Sequence, residues 1–300
     1  MMIALAVNPR ASFGRSRQAG EEAASCFRAS GADVLLLRED SYAELAGAVA
    51  QALASGADAL VVVGGDGMVH LGVNALAGSG APYGTVPLGI IPTGTGNDMA
   101  RALRLPRRNV AAACARTLEA LSAGGRMIDV GRVSSGGVTR WFAGVVSAGF
   151  DAAVNERANA WRWPRGNARY NLAMLRELTS FRAISYTVTA DGESWQQQAM
   201  LISVANGQSI GGGMKVTPDA LLDDGHLDLF IVGPLSRLGL LAVFPKVFSG
   251  GHTGHPAVHI RRVRRIEVAA DNVVAYADGE RIGPLPLTIE VVPAAVRVLA

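Results

Sequence analysis

The sequence predicts an α/β domain with a parallel sheet, followed by a mainly antiparallel β-sandwich. Three observations carry this prediction. Apolar strands alternate with helical patterns through the first ~125 residues, as right-handed βαβ crossovers require. From Met127 onward, short strand patterns separated by glycine-rich turns take over, the texture of a sandwich or barrel. At 300 residues the chain is long enough for two proper cores.

The elements follow in order. Residues 3–7 form a short buried strand ending at Asn8-Pro9, and a helix is expected from about 16 to 29. Strands at 33–37, 59–63 and 88–91 alternate with helices at 42–54 and 69–77, and helices near 99–103 and 110–123 close the series. In the second half, strands are expected at 128–133, 141–147, 184–189, 195–205, 226–232, 259–268, 273–277 and 287–292. Helices are expected at 168–181 and through 236–248. The domain reading is 1–127 for the α/β part, with 294–300 able to complete it, and 128–293 for the sandwich.

Composition narrows the class. An apolar content of 49% with 18% charged residues describes a packed globular chain. The net charge of +3 is too small to imply nucleic acid. Cys26 and Cys114 lie far apart in alanine-rich helical contexts and read as buried thiols of a reducing cytosol. The N-terminus is too short and uncharged for a signal peptide. No uninterrupted apolar stretch approaches the ~20 residues of a membrane helix. Leu235, Leu238, Leu241, Phe244 and Phe248 recur at helical spacing beside Arg237 and Lys246; such a stripe reads first as core-facing, with membrane contact as the alternative.

The chemistry concentrates in two turns. Val61-Val-Val-Gly-Gly-Asp-Gly67 runs an apolar strand into glycines around one acid. Glycines let phosphate oxygens approach backbone N–H groups, and Asp66 stands where a carboxylate can hold a Mg²⁺ ion riding on them. Leu88-Gly-Ile-Ile-Pro-Thr-Gly-Thr-Gly-Asn-Asp98 repeats the pattern after the next strand. Both turns, and that after Val7, fall at the carboxyl ends of parallel strands, where α/β sheets bind ligands. A Walker A loop is excluded, because Lys215 and Lys246 are each followed by Val. The G-x-G-x-x-G fingerprint is missing after the first strand, no Cys/His cluster has zinc spacing, and no nucleophile elbow occurs. His252 and His255 read as loop-ordering groups before metal ligands. What remains is phosphoryl transfer by backbone cradle, carboxylates and Mg²⁺, which also needs a group to accept the proton of the attacking hydroxyl. Tyr276-Ala-Asp-Gly-Glu280 offers two carboxylates, although read alone it is a hairpin turn.

Gly64-Gly-Asp-Gly67, Ile91-Pro-Thr-Gly-Thr-Gly-Asn-Asp98 and Asp278-Gly-Glu280 together resemble the diacylglycerol kinase catalytic-domain family, which includes sphingosine and ceramide kinases and soluble bacterial lipid kinases. The stretch from Asn206 to Gly213 and Pro218-Asp-Ala-Leu-Leu-Asp-Asp-Gly-His-Leu-Asp228 resemble its middle signature, and the similarity is closest to the actinobacterial soluble enzymes. The resemblance implies a nucleotide domain of the NAD-kinase and phosphofructokinase type, ATP and Mg²⁺ as cofactors, and a diacylglycerol-type lipid as substrate. It further implies a cytoplasmic protein peripheral to the inner face of the membrane; a homodimer is left open.

Residue by residue, it places Asn8, Pro9, Ser12 and Gly14 in the first ATP-contacting loop and Arg38 near the nucleotide. Gly64, Gly65, Asp66 and Gly67 would hold phosphates and Mg²⁺, Thr95 would touch the nucleotide, and Asp98 would order the polar network. Glu280 matches the general base. Asp219, the Leu222 carbonyl and Asp224 match a second, structural Mg²⁺ site. Trp161, Trp163 and the 168–181 helix would serve the lipid. One departure stands out: Met68, His70 and Leu71 replace the family's Thr, Asn and Glu after the Gly-Gly-Asp-Gly turn, which removes a hydroxyl contact and leaves the backbone cradle. The competing readings are a NAD-kinase-like or other soluble-substrate kinase, and a nucleotide-binding regulator without turnover.

Overall fold

The computed structural model describes residues 1–8, 15–161, 172–173, 176–177 and 182–300. Pro9, Ser12, Gly14, Trp163 and most of the helix expected at 168–181 lie outside the described residues. The chain divides into two compact units, residues 1–130 with 222–224 and 292–300, and residues 131–221 with 225–291.

In the first unit, β1 (Met2–Val7), β2 (Asp33–Leu37), β3 (Ala59–Gly64) and β4 (Leu88–Pro92) form a parallel sheet in the order β2-β1-β3-β4. Their β-branched, near-continuous apolar runs suit a sheet covered on both faces. Residues of β1 and β3 are fully buried, packed with Phe27 of α1 (Arg15–Ala29) and Cys114 of α5 (Val110–Ser122). Helix α2 (Tyr42–Ala54) starts at a capping box in which Ser41 and Glu44 satisfy each other's backbone N–H. The last strand, β16 (Leu287–Val298), gives its end to this unit, where Val298 pairs with Leu88 of β4 in parallel.

Cys114 is buried and Cys26 half-buried, both free. Burial, then the neighbouring Cys26, pushes the Cys114 thiol up to about 12, so it stays protonated and inert.

The second unit holds a six-stranded antiparallel sheet in the order β12-β11-β10-β7-β14-β15. These are Val258–Val263, Leu227–Val232, Leu201–Ala205, Val145–Gly149, Val274–Ala277 and Glu280–Pro284. Facing it, the first part of β16 pairs with β13 (Arg265–Ala269), which pairs with β8 (Ile184–Ala190) and through it β9 (Glu193–Ala199). The interior between the sheets is apolar, with Tyr186, Phe142, Ile202 and Leu227 fully buried. Helix α6 (Phe150–Ala160) was not expected from the sequence, nor was β15.

Three expected long strands each break in two. The run at 141–147 becomes β6 (Val138–Phe142) and β7, that at 195–205 becomes β9 and β10, and that at 259–268 becomes β12 and β13. In each case the two pieces belong to different sheets. Sheets of a sandwich lie ~10 Å apart, so a chain that changes sheet must bend, and the corner leaves N–H groups without ladder partners.

Two of these corners use one device. Asp191 accepts from the N–H of Arg264 at 3.0 Å and Arg265 at 2.9 Å, and its own N–H donates to the Arg265 carbonyl. Asp278 accepts from the N–H groups of Ala143, Gly144 and Val145 at 3.1, 3.0 and 3.0 Å, and donates its own to Val145. Each aspartate opens a two-residue hairpin, Asp191-Gly192 and Asp278-Gly279, with φ of 50° and 88° in the first and 50° and 89° in the second. Positive φ at both positions is the turn that matches strand twist, and Asp-Gly is its preferred sequence. The tetrapeptide Ala-Asp-Gly-Glu therefore occurs twice, at 190–193 and 277–280.

Candidate functional site

The register of the parallel sheet sets the carboxyl ends of its strands on one edge. Val7 pairs with Val63, Ala6 with Leu37, and Gly64 with Pro92. Asn8, Arg38, the Gly64–Gly67 turn and Thr93 thus emerge side by side. Helix α3 (Asp66–Ala77) begins with Gly65 as its N-cap, three residues earlier than the apolar periodicity alone indicated. Its first N–H groups are not capped by the Gly65 side, which has no side chain to offer.

The two glycine turns touch backbone to backbone. A Cβ built on Gly65 would lie 3.1 Å from the Gly94 Cα, and one on Gly94 would meet the Gly65 Cα and sit 3.0 Å from its nitrogen. Backbone cannot swing aside as a side chain does, so Gly94 requires glycine, and at Gly65 a Cβ would be tight against its partner turn. Asn97, at φ 55°, closes the second turn: its Oδ1 accepts from Gly94 N–H at 3.1 Å and its Nδ2 donates to the Gly94 carbonyl at 2.8 Å.

Asp66 links the turns. Its Oδ1 accepts from the N–H of Asp98 at 2.7 Å and of Met99 at 3.2 Å, the first residues of α4 (Asp98–Ala102). Asp98 is itself buried and ion-paired to Arg101 at 2.7 Å. Thr95, at the tip of the second turn, is exposed. Arg38 lies 2.7 Å from Glu21 in an ion pair, and its buried Nε has no hydrogen-bond partner among the described residues. Met68 folds back beneath the turn: it is buried, and a Cβ on Gly64 would collide with its Cγ. His70 and Leu71 are buried as well. The side chain that replaces the family's threonine is thus a packing residue.

In the second unit, Glu280 opens β15 directly after the Asp278-Gly279 turn and is exposed. Its carboxylate makes no hydrogen bond or ion pair with the described residues, whereas the Glu193 of the twin turn pairs with Arg261 at 2.7 Å. Next to it, Arg281 donates to Glu156 of α6 at 2.9 Å. Asn206, in the middle signature, holds the same corner as Asp278, donating its N–H to Gly144 and its Nδ2 to Ala143. Asp278 is therefore committed to structure on both oxygens.

Of the second metal set, Asp219 belongs to one unit and Leu222 and Asp224 to the other. The Leu222 carbonyl accepts from Asp129 N–H at 2.6 Å, and the intervening Asp223 pairs with Arg126 at 2.8 Å. Among the described residues no group of three or more His, Cys, Asp or Glu side chains gathers as metal ligands. Asp129, which sequence reasoning missed, is buried and accepts from Ala294 N–H at 2.8 Å, tying the chain's last segment to β5 (Arg126–Ser135).

An apolar pocket on the outer side of the six-stranded sheet has a cavity volume of about 70 Å³ and is partly open to solvent. Phe150, Met214, Phe230, Leu240, Val243 and Phe244 are among the side chains that line it. Two buried polar atoms in its wall, Ser203 Oγ and His252 Nδ1, have no partner among the described residues. His252 Nε2 lies 3.1 Å from the Val216 carbonyl. Burial, outweighing the opposing influence of the nearby Val216 and Lys246 carbonyls, holds this imidazole below its ordinary 6.5. A histidine kept neutral in the fold binds its proton more readily when unfolded, so its contribution is fully present at neutral pH and is lost as pH falls below 6.5. The melting temperature should therefore drop between about pH 7 and about pH 5.5, and less so in His252→Gln. Equal slopes for the two proteins would remove His252 as the cause.

Comparison with known proteins agrees with this geometry. Residues 2–133 match the model of the diacylglycerol kinase catalytic domain, and residues 144–300 that of the YegS C-terminal NAD kinase beta sandwich-like domain. A diacylglycerol kinase of Mycobacterium tuberculosis is 37% identical over 97% of this chain and 93% of its own. A Pseudomonas aeruginosa protein named "Probable lipid kinase YegS-like" is 32% identical over 96% and 88%. The crystal structure of a diacylglycerol kinase from Bacillus anthracis str. Sterne, 20% identical, has the same fold at a TM-score of 0.71, covering 99% of this chain and 96% of that one. A second structure from that strain reaches 0.78 at 24% identity, covering 99% and 94%. With both halves matched in order and more than a third of residues shared across nearly its whole length, the chain belongs to the diacylglycerol kinase and YegS-like family of lipid kinases.

Proposed function

We propose that the protein transfers the γ-phosphoryl group of ATP to the free hydroxyl of diacylglycerol, giving phosphatidic acid and ADP. The observation that carries the substrate is the apolar pocket of the second unit, whose lining suits hydrocarbon chains rather than a dinucleotide or sugar. The nucleotide phosphates would lie on the backbone N–H groups of the two interlocked glycine turns, with Mg²⁺ drawn to Asp66 and Asp98. Asn8 and Arg38, on the same edge, would face the nucleotide, and Pro9, Ser12 and Gly14 would complete that loop. Glu280 would take the proton of the attacking hydroxyl as its oxygen bonds to phosphorus and ADP leaves. The burial of Met68 supports the catalytic reading over a non-catalytic regulator, since the cradle it underlies is backbone. Asp219, the Leu222 carbonyl and Asp224 would hold a structural Mg²⁺; melting temperature that is indifferent to Mg²⁺ would count against it. The test of the substrate is thin-layer separation of products from labelled ATP and a lipid panel with and without Mg²⁺. Label in phosphatidic acid is expected. Label only in NADP or another soluble product would overturn the reading.

A further inference from the structure

Helix α7 (Arg237–Val243) and the single 3-10 turn that continues it, Phe244–Phe248, carry apolar side chains on two sides. Leu240, Val243, Phe244 and Val247 line the pocket. Leu238, Leu241 and Phe248 do not, and they are 79%, 46% and 52% exposed. The stripe expected to face the core thus splits: Phe244 lines the pocket and Leu235 is half-buried, whereas Leu238, Leu241 and Phe248 are exposed. Leu238 and Leu241 stand three residues apart on a helix and share a face. Phe248 is joined to the pocket wall by an edge-to-face contact with Phe244, ring centres 6.1 Å apart. Through this contact the exposed Phe248 is continuous with the pocket lining.

Charge says what fits this patch. No Asp or Glu occurs between Leu229 and Ile266, a stretch that carries Arg237, Lys246, Arg261, Arg262, Arg264 and Arg265. Arg237 and Lys246 flank the exposed leucines and are themselves exposed. Arg261 and Arg265 are ion-paired to Glu193, Glu267 and Glu290, which leaves Arg237 and Lys246 as the cations beside the exposed leucines along the chain. Exposed apolar side chains next to such cations match an interface with anionic headgroups above and hydrocarbon below. We propose that Leu238, Leu241 and Phe248 are the side chains by which this protein seats itself on a bilayer containing anionic phospholipid, setting the pocket wall against the hydrocarbon from which its substrate comes. The inference rests on the lipid-kinase reading for its purpose, but its test does not.

Leu238→Glu/Leu241→Glu changes neither pocket nor nucleotide turns. Its co-sedimentation with vesicles of phosphatidylcholine and phosphatidylglycerol should fall about tenfold or more, since two apolar side chains no longer leave water and two carboxylates oppose the headgroups. Its melting temperature and its turnover of a short-chain, monomerically dissolved diacylglycerol should stay within about twofold and a few degrees of the parent. Arg237→Glu/Lys246→Glu should lose binding to the anionic vesicles in particular, and added salt should weaken the parent likewise. Should the double leucine variant unfold, Leu238→Ser alone, at the most exposed position, serves the same comparison. The proposal is overturned if the leucine variants bind vesicles as the parent does, or if the parent ignores anionic lipid. It is also overturned if the parent sediments as a dimer that these variants dissolve, which would give the face to a second copy. A parent that docks yet labels no lipid leaves docking standing and removes the substrate reading instead.

Discussion

Glu280→Gln is expected to lower kcat by at least about a hundredfold while leaving ATP affinity nearly unchanged. An alcohol is a poor nucleophile at neutral pH, and general-base help is typically worth about 10²–10⁴ in rate. Glutamine keeps the size and the turn but has no basic oxygen pair. Asp278, the other acid of the motif, has both oxygens engaged by the N–H groups of Ala143, Gly144 and Val145, so replacing it should damage the corner rather than the chemistry alone. The chain supplies its own control. Glu193 occupies the equivalent place in the twin hairpin and is ion-paired to Arg261, so Glu193→Gln should leave kcat within about twofold. Steady-state kinetics with nucleotide-binding measurements decide the matter: a Glu280→Gln enzyme that keeps kcat but loses ATP would make the residue a nucleotide or metal contact.

Asp66→Asn should be folded and nearly dead, with kcat down by about a hundredfold or more. The asparagine carbonyl can still accept from Asp98 and Met99 N–H, so the link between the two glycine turns survives while the negative charge is lost. Asp66→Ala removes both. It leaves those two N–H groups at the buried start of α4 unpaired, a cost of roughly 1–3 kcal/mol each when unsolvated, and should lower the melting temperature as well. Comparing the two variants by calorimetry and by rate at rising Mg²⁺ separates the structural from the electrostatic part. If Asp66→Asn retains full kcat, the carboxylate is a strut and no more.

The α/β half was legible from the sequence because its signals are local. Strand 33–37 and helix 42–54 fall where the apolar periods put them. Helix α3 starts early because Gly65 and Asp66 bend into it from the glycine turn, and no apolar residue marks that start. The sandwich was legible as a class but not in its corners. A run such as 195–205 keeps its alternation while the chain passes from one sheet to the other, and only the carboxylate of a distant Asp-Gly turn marks where two such runs bend. Helix α6 was missed because Asp151, Asn155, Glu156 and Arg157 give it little apolar period. At the site, glycine spacing pointed to the cradle, but not to the contact of Gly65 with Gly94 or to the side on which Met68 lies, since both depend on residues far apart in sequence.

The repeated Ala-Asp-Gly-Glu word has a further consequence. Both copies are read by the fold in one way, as a bend whose aspartate staples a neighbouring corner. They differ in what surrounds the glutamate: Arg261 in one case, no described partner in the other. A tripeptide search would flag both with equal weight, and neither hit would say anything about catalysis. What separates the two glutamates is written outside the word, in the cation that the chain placed beside Glu193 and that has no counterpart beside Glu280 among the described residues.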